Sequence, residues 1–555
     1  MSRLHLQFGI SFQDLHTPQG LQRLDRQFET FFQEGNENLY QRYKKARLAK
    51  SEESDLILAV APVVEDFLAH LFCIEKDVQA LQKKHHNLAP LYTCKRTFIQ
   101  RQVAKKAPKE EAHLLEGDSL RDSLSVYFKK PFDDLTYATH VLDWLQDVEA
   151  FSKPLALATD YGIWALFTQE GQSFHKNSPL FHLPQKRDLA LLIPEKIHTH
   201  QRKGFALTDK GPSREEALDQ ANYCLYCHER QKDSCSTGLK TNGAPRENQH
   251  RDLGGCPLDE KISEMNVLKS KGLALAALCV VTIDNPLVAA TGHRICNDCS
   301  MACIFQKQDP VDIPGVETQN LKDVLNLPWG FEIYALLTRW NPLRFDSPFP
   351  QESTGGRALV VGMGPAGFTL AHYLLQEGHS VVGVDGLKIE PLPRRFIDEP
   401  LEDSSLLFEA LDQRIIGGFG GVAEYGITVR WDKNFLTILR LLLERRENFR
   451  LHGGVRFGST ITPDQALKGI KEGVEFDHVA LCAGAGQPNL IPLKNALTRG
   501  VRQASDFLMA LQLTGAAKKS SLANLELRLP AVVIGGGLTA IDSATEALAY
   551  YPVQV

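Results

Sequence analysis

Apolar residues recur three and four positions apart through most of the first 200 residues of the chain. "TPQGLQRLDRQFETFFQ", "ESDLILAVAPVVEDFLAHLFCIEKDVQALQKK" and "YATHVLDWLQDVEAF" all carry this spacing, which predicts amphipathic helices. From 204 to 260 the texture shifts to Gly, Asn, Ser, Lys and Cys, and "STGLKTNGAPRENQHRDLGG" reads as an irregular loop. Helical runs resume near Lys261. A second break, "NPLRFDSPFPQESTGG" at 341–356, has the Pro, Ser and Gly content of a linker. Beyond it, "RALVVGMGPAGFTLAHYLLQEGHSVVGVDG" reads as strand, glycine turn, helix and strand, the first unit of a parallel doubly wound sheet. "LPAVVIGGGLTAIDSATEALAYYPVQV" opens a second such unit, and the sequence stops inside it. The expectation is that the protein continues and that this stretch alone binds its nucleotide poorly.

A length of 555 residues predicts about three or four domains. Hydrophobic residues at 43% and charged residues at 23% are ordinary globular values, which exclude a largely disordered or fibrous chain. The net charge is −5, and the basic stretch "CKRTFIQRQVAKKAPK" at 94–109 interleaves its charges with apolar residues, as a solvated helix face does. A nucleic-acid partner is not expected. The apolar run "GLALAALCVVTIDNP" meets Asp284 and Pro286 well before the roughly 18 residues that a membrane span needs. "MSRLHLQFGISFQDLH" lacks the basic head and apolar middle of a signal peptide. A soluble cytoplasmic protein is the expectation, in which the eleven cysteines stay reduced.

Seven cysteines are grouped: Cys224, Cys227, Cys235 and Cys256 in one block, Cys296, Cys299 and Cys303 in another. Cys73, Cys94, Cys279 and Cys482 stand alone, as small buried hydrophobes do. A CxxC pair brings two sulfurs to one metal or cluster while the other corners come from farther along the chain. Two zinc sites would need borrowed ligands, with His228 and His250 the candidates. Two 4Fe-4S clusters would need eight ligands, one more than the seven cysteines. Cys256 precedes Pro257, as in ferredoxin-type runs where the cysteine before proline ligates the other cluster. His85 and His86 in "KKHHNLAP" read as exposed loop or helix-end residues.

The segment "CLYCHERQKDSC...GGCPLDEKISEMNVLKSKGLALAALCVVTIDNPLVAATGHRICNDCSMAC" resembles the N-terminal iron-sulfur domain of the NADPH-dependent glutamate synthase small subunit and of dihydropyrimidine dehydrogenase. The first cysteine block is longer here and the Cys296 to Cys299 gap shorter. By position, the resemblance implies one 4Fe-4S cluster on Cys224, Cys227, Cys235 and Cys303. A second would sit on Cys256, Cys296 and Cys299, with Glu317 of "PVDIPGVETQN" in the place of a non-cysteine ligand. A solvated helix residue is the other reading of Glu317.

"VVGMGPAG" places Gly362, Gly364, Pro365, Ala366 and Gly367 between strand and helix. Such a turn cradles a pyrophosphate at the helix N-terminus. Asp385 ends the following strand, where a carboxylate accepts from a ribose hydroxyl. "GGFGGVAEYGITVRWDKNF" and "FDHVALCAGAGQPNLIPL" look like the family's FAD-domain segments, the second bringing Gly484, with Ala483 where the family has threonine. "VVIGGGLTAIDSA" supplies Gly535, Gly537, Leu538, Thr539 and Ala540, a turn that binds NADPH in the family, with NADH the alternative.

The resemblance thus implies FAD, two 4Fe-4S clusters and NADPH or NADH, with electrons passing to or from a partner enzyme or further domain. It covers roughly residues 215–555. The expected architecture is multidomain: a helical region over 1–205 of docking or scaffolding character, and a helical iron-sulfur domain over 206–345. A Rossmann-like FAD domain over 356–529 follows, then an incomplete NAD(P)H-binding fold over 530–555. No acid-base residue is nominated. The competing reading is a zinc-stabilised interaction module on a nucleotide-binding fold without electron flow.

Overall fold

The computed structural model describes the chain except residues 1–3, 46–49, 107–110, 177, 182, 184–201, 231, 242–243, 246, 249–250, 415–420, 431, 469–474 and 486–489. Helices dominate up to residue 339. Helix α1 (Pro18–Gly35) starts with Pro18 in its first turn, where no intrahelical N–H is needed, and with Thr17 accepting from Gly20 N. Its buried face is Leu21, Leu24, Phe28 and Phe32, at the predicted three-and-four spacing. The second apolar run divides into α2 (Lys50–Leu71) and α3 (Glu75–Cys94), separated by Cys73 in a left-handed conformation. Beyond α3 the chain continues as a π-helix over Lys95–Val103.

Helices α1 and α2 do not stand apart. They share one hydrophobic core with α4 (Arg214–Tyr223), α5 (Ile262–Ser270), α6 (Ala274–Asp284), α7 (Ile313–Leu325) and α8 (Gly330–Arg339). Trp340, fully buried, is ringed by Phe28 and Phe67 at 5.7 and 5.9 Å, and its indole N–H donates to Asp25 at 2.9 Å. Burying each such aromatic contributes on the order of 2–3 kcal/mol. Glu65 of α2 reaches across to the start of α6 and accepts from Ala276 N at 2.9 Å, satisfying an amide that a helix N-terminus leaves open. A second core, from Leu91 to Phe181, is built around Tyr137, Tyr161 and Trp164. The helices before residue 205 therefore form two cores, the first continuous with the cysteine-bearing helices.

Two sequence expectations change here. His85 is buried, with Nδ1 3.3 Å from Gly272 O and Nε2 3.5 Å from Asp323, because α3 packs along the turn that follows α5. His86 is exposed and contacts Lys271 O. In the basic stretch, Lys95 is buried in an ion pair with Asp219 at 2.6 Å, so this face is partly interior.

After residue 356 the chain forms a four-stranded parallel sheet of β1 (Arg357–Val361), β2 (Ser380–Val384), β3 (Phe449–His452) and β4 (His478–Leu481), in the order β3-β2-β1-β4. Helix α9 (Pro365–Gln376) crosses from β1 to β2, and α10 (Phe435–Glu444) leads into β3. This is the predicted strand-turn-helix-strand unit. The second unit differs: α11 (Leu538–Gln554) forms, but residues 531–536 pair with no strand among those described. Val532 and Ile534 are 83% and 59% exposed. A parallel strand is stable when neighbours take its hydrogen bonds and helices cover both faces, and here it has neither. Among the described residues, no helix is long and apolar enough to cross a membrane.

Burial pushes the Glu65 carboxyl up to about 7. Its proton is kept in the folded chain while the unfolded chain ionises above about 4.5. Stability is therefore complete below that pH and declines as pH rises to 7, by up to roughly 3 kcal/mol. Denaturant titrations should show this decline in the wild type and a flatter profile in Glu65→Gln.

Candidate functional site

The grouped cysteines sit at the ends of helices, where the chain turns. Cys224 terminates α4, and Tyr226, left-handed, folds the chain back so that its N–H approaches the Cys224 sulfur at 3.5 Å. Cys227 opens a single turn, Cys227–Arg230, and Cys235 lies in the turn Ser234–Thr237. The long loop then returns to place Cys256 beside it, with Cys256 N donating to Cys235 O at 2.8 Å. Cys299 lies in the turn Asp298–Met301, and Cys303 follows.

Cys224, Cys227, Cys235 and Cys303, all buried, line one small cavity. Its other walls are Leu225, Ile304, Phe305, Val311, Ile313 and Asn266. Burial raises the Cys224 thiol to about 12 and raises Cys227. The hydrogen bond between Cys235 and Cys303 raises the former and lowers the latter. The remaining three cysteines form a second neighbourhood. Cys299 is raised by burial first, then by Glu317, Cys256, Glu260 and Cys296. Cys296 is exposed and Cys256 half-buried.

Glu317 is buried in α7 and not solvated; burial first, then Glu260, raises its carboxyl well above the usual range. Glu260, also raised by burial, hydrogen-bonds to Glu317 and to Asn285. Sequence reasoning missed Glu260, whose only signal was its place four residues after Cys256.

Other sequence candidates lie elsewhere. His228 does not line the cysteine cavity, and its Nδ1 is 2.6 Å from Ser263 Oγ. His250 falls outside the described residues, as do parts of the 417–435 and 476–493 segments. Cys73, Cys94, Cys279 and Cys482 join neither group; Cys94 and Cys279 are buried, whereas Cys73 is exposed. Among the described residues, no three His, Cys, Asp or Glu side chains close into the geometry of a single metal ion. A larger groove of about 1210 Å³, lined by Lys210, Arg214, Lys322 and Asp432 among others, contains none of the predicted site residues.

The first glycine turn sits where the sheet order reverses, between the carboxyl ends of β1 and β4, the usual crevice for a nucleotide in such sheets. Gly362 has φ +92°, and a Cβ there would lie 2.4 Å from Cys482 O. At Gly367 a Cβ would lie 1.9 Å from Gly362 O, so turn and helix approach as only glycine permits. Gly364 caps α9, with Pro365 and Ala366 in its first turn and its N-terminal N–H groups directed at the crevice. Asp385 accepts from Met363 N at 2.8 Å and Leu387 N at 2.9 Å, holding the turn against the end of β2. Gly484 follows β4 with φ +66°.

Gly535 and Gly537 precede α11, with Gly537 as its cap. Thr539 and Asp542 both accept from Arg430, and Glu546 is buried against Thr428 and Arg202. Leu538 is exposed, and Ala540 N donates to Gly537 O. This helix start is therefore tied to the 427–430 segment while its own strand is unpaired.

The family model for pyridine nucleotide-disulphide oxidoreductase matches residues 356–554. That for the RP005 N-terminal alpha-helical domain matches residues 6–73. The uncharacterized protein RP005 of Rickettsia prowazekii (strain Madrid E) is 31% identical over 296 residues, 49% of this chain and 100% of RP005. The glutamate synthase [NADPH] small chain of Bacillus subtilis (strain 168) is 27% identical over 343 residues, 60% of this chain and 56% of that protein. The chain belongs to the same family as RP005, and its residues 356–554 are those of a pyridine nucleotide-disulphide oxidoreductase domain similar to glutamate synthase small chains. The uncharacterized protein RP006 of the same Rickettsia is 56% identical over 269 residues, 48% of this chain. The chain spans 37% of the length of RP006 and about half of the Bacillus small chain.

The two glycines make a graded test of the turn. Gly367→Ala forces a backbone clash and should cost roughly 1–3 kcal/mol. Gly484→Ala meets open space and should cost about 1 kcal/mol, from its left-handed backbone alone. Chemical denaturation of both variants measures the difference.

Proposed function

We propose that the chain is an oxidoreductase module that passes electrons between NAD(P)H, FAD and two 4Fe-4S clusters, to or from a further acceptor. The observation that carries this reading is the convergence of Cys224, Cys227, Cys235 and Cys303 on one apolar cavity. The resemblance implies that same set of four, drawn from segments up to 79 positions apart (303 − 224 = 79). Cys256, Cys296 and Cys299, with Glu317, would hold the second cluster. The apolar walls suit a cluster whose potential depends on burial and on hydrogen bonds to sulfur.

Gly362, Gly364 and Gly367 would cradle the FAD pyrophosphate at the start of α9, with Asp385 toward the ribose and Gly484 across the crevice. Gly535, Gly537, Leu538, Thr539 and Ala540 would take the NAD(P)H pyrophosphate, a role supported by the turn sequence and by α11. When bound, the flavin takes a hydride's two electrons and gives them up singly, which matches one-electron clusters. The protein's own part is to hold these groups in order and keep water from them. The name of the Bacillus relative supports a partner enzyme as the acceptor, and the reduced cysteines suit the cytoplasm.

The alternative is a zinc-stabilised module. A zinc ion would gather four ligands at about 2.0–2.3 Å from one point. Anaerobically purified chain should be brown, with bound flavin and about eight iron atoms per chain. Cys303→Ser should lose about half the iron, and Cys279→Ser should keep it all. A colourless, folded, zinc-containing preparation would sink the reading.

A further inference from the structure

We propose that the Asn266 side chain donates an N–H to the sulfur-bound group held by Cys224, Cys227, Cys235 and Cys303, and so sets its reduction potential. This rests on the cluster reading above. Asn266 lies in α5 and is fully buried, and among the described residues its amide has no hydrogen-bond partner other than the Cys224 sulfur. A buried amide with so few partners is costly and rare in folded proteins, so its position calls for an acceptor at the sulfurs. The amide lines the cysteine cavity, where it is the one polar side chain among the described residues apart from the cysteines themselves. Its side chain hydrogen-bonds to the Cys224 sulfur.

The two ends of the amide exchange by rotation of its terminal torsion, and only the nitrogen end suits an electron-rich sulfur. Backbone N–H groups already serve this ring of sulfurs: Tyr226 N approaches Cys224, and Val311 and Phe305 approach Cys303. These come with the fold. Asn266 supplies a further N–H from a side chain, which substitution can change while the backbone stays in place. An N–H directed at cluster sulfur favours the more negative, reduced state and raises the potential. The second group of cysteines has the carboxyls of Glu260 and Glu317 beside it, so the two clusters would differ in ease of reduction. Asn266 is a positioning residue in this account and touches no substrate.

The test uses the whole chain, purified anaerobically as wild type, Asn266→Leu and Asn266→Ala, with iron analysis and a dithionite titration followed by electron paramagnetic resonance. Expected is full iron content in the variants, with the one-electron reduction constant of one cluster lowered at least fivefold and the other unmoved. That is about 40 mV, since tenfold corresponds to 59 mV for one electron. Iron-loaded variants with both constants unchanged would overturn this proposal alone. Iron-free wild type would overturn the cluster reading, and this proposal with it. If both variants come out without iron, wild type carrying ¹⁵N in its asparagine side-chain amides decides: a nitrogen coupling to one reduced cluster supports the contact, and its absence refutes it.

Discussion

The meeting of four thiols in one apolar cavity is the constraint from which most of this molecule follows. A cysteine at the end of α4 and another past residue 300 can face each other only if the intervening helices are fixed to within a fraction of an ångström. Helices α5, α6 and α7 supply that fixity, and they are covered in turn by α1 and α2 from the start of the chain. Fully buried Trp340, held between Phe28, Phe67 and Asp25, is the joint between these layers. Since hydrophobic packing tolerates little change in volume, the cysteine geometry and the N-terminal helices are physically one problem.

The fold was readable where a local rule suffices. Periodicity alone located α1, and the glycine turn with its flanking apolar runs located β1, α9 and β2, because those elements answer to spacing within a few residues. The pattern could not show what a helix packs against. His85 looked like an exposed loop or helix-end residue in a polar run, yet the turn after α5 covers it. Lys95 looked solvated until Asp219, 124 positions away, proved to be its partner. The strand at Val532–Ile534 was read from its apolar run, but a run gives no information about whether neighbours are present to receive its hydrogen bonds.

The same division applies to the site. Seven cysteines and the glycine turn announce themselves through residue type and spacing. Glu260 and Asn266 do not, because an acid and an amide within "PLDEKISEMNVL" resemble any exposed helix start. Their significance comes from burial, which turns ordinary polar groups into costly ones that must be answered by something nearby. Glu317 lies between these cases: its position was nominated by resemblance, and its burial against Glu260 emerged only from the packing.

The core that joins residues 6–81 to the helices around Trp340 has a bearing on how such a polypeptide can be divided by genetics. A gene split that put the first helices on one product and α5 to α8 on another would leave each with a broad greasy face and an orphaned partner for Glu65 or Trp340. Such halves would need to be made together and meet quickly, and a cut at 341–356 would open the same core, which continues through Leu343, Val360 and Phe368, and would part Glu332 from Arg445. Selection on gene architecture should therefore resist breaks all along the stretch that this one core spans.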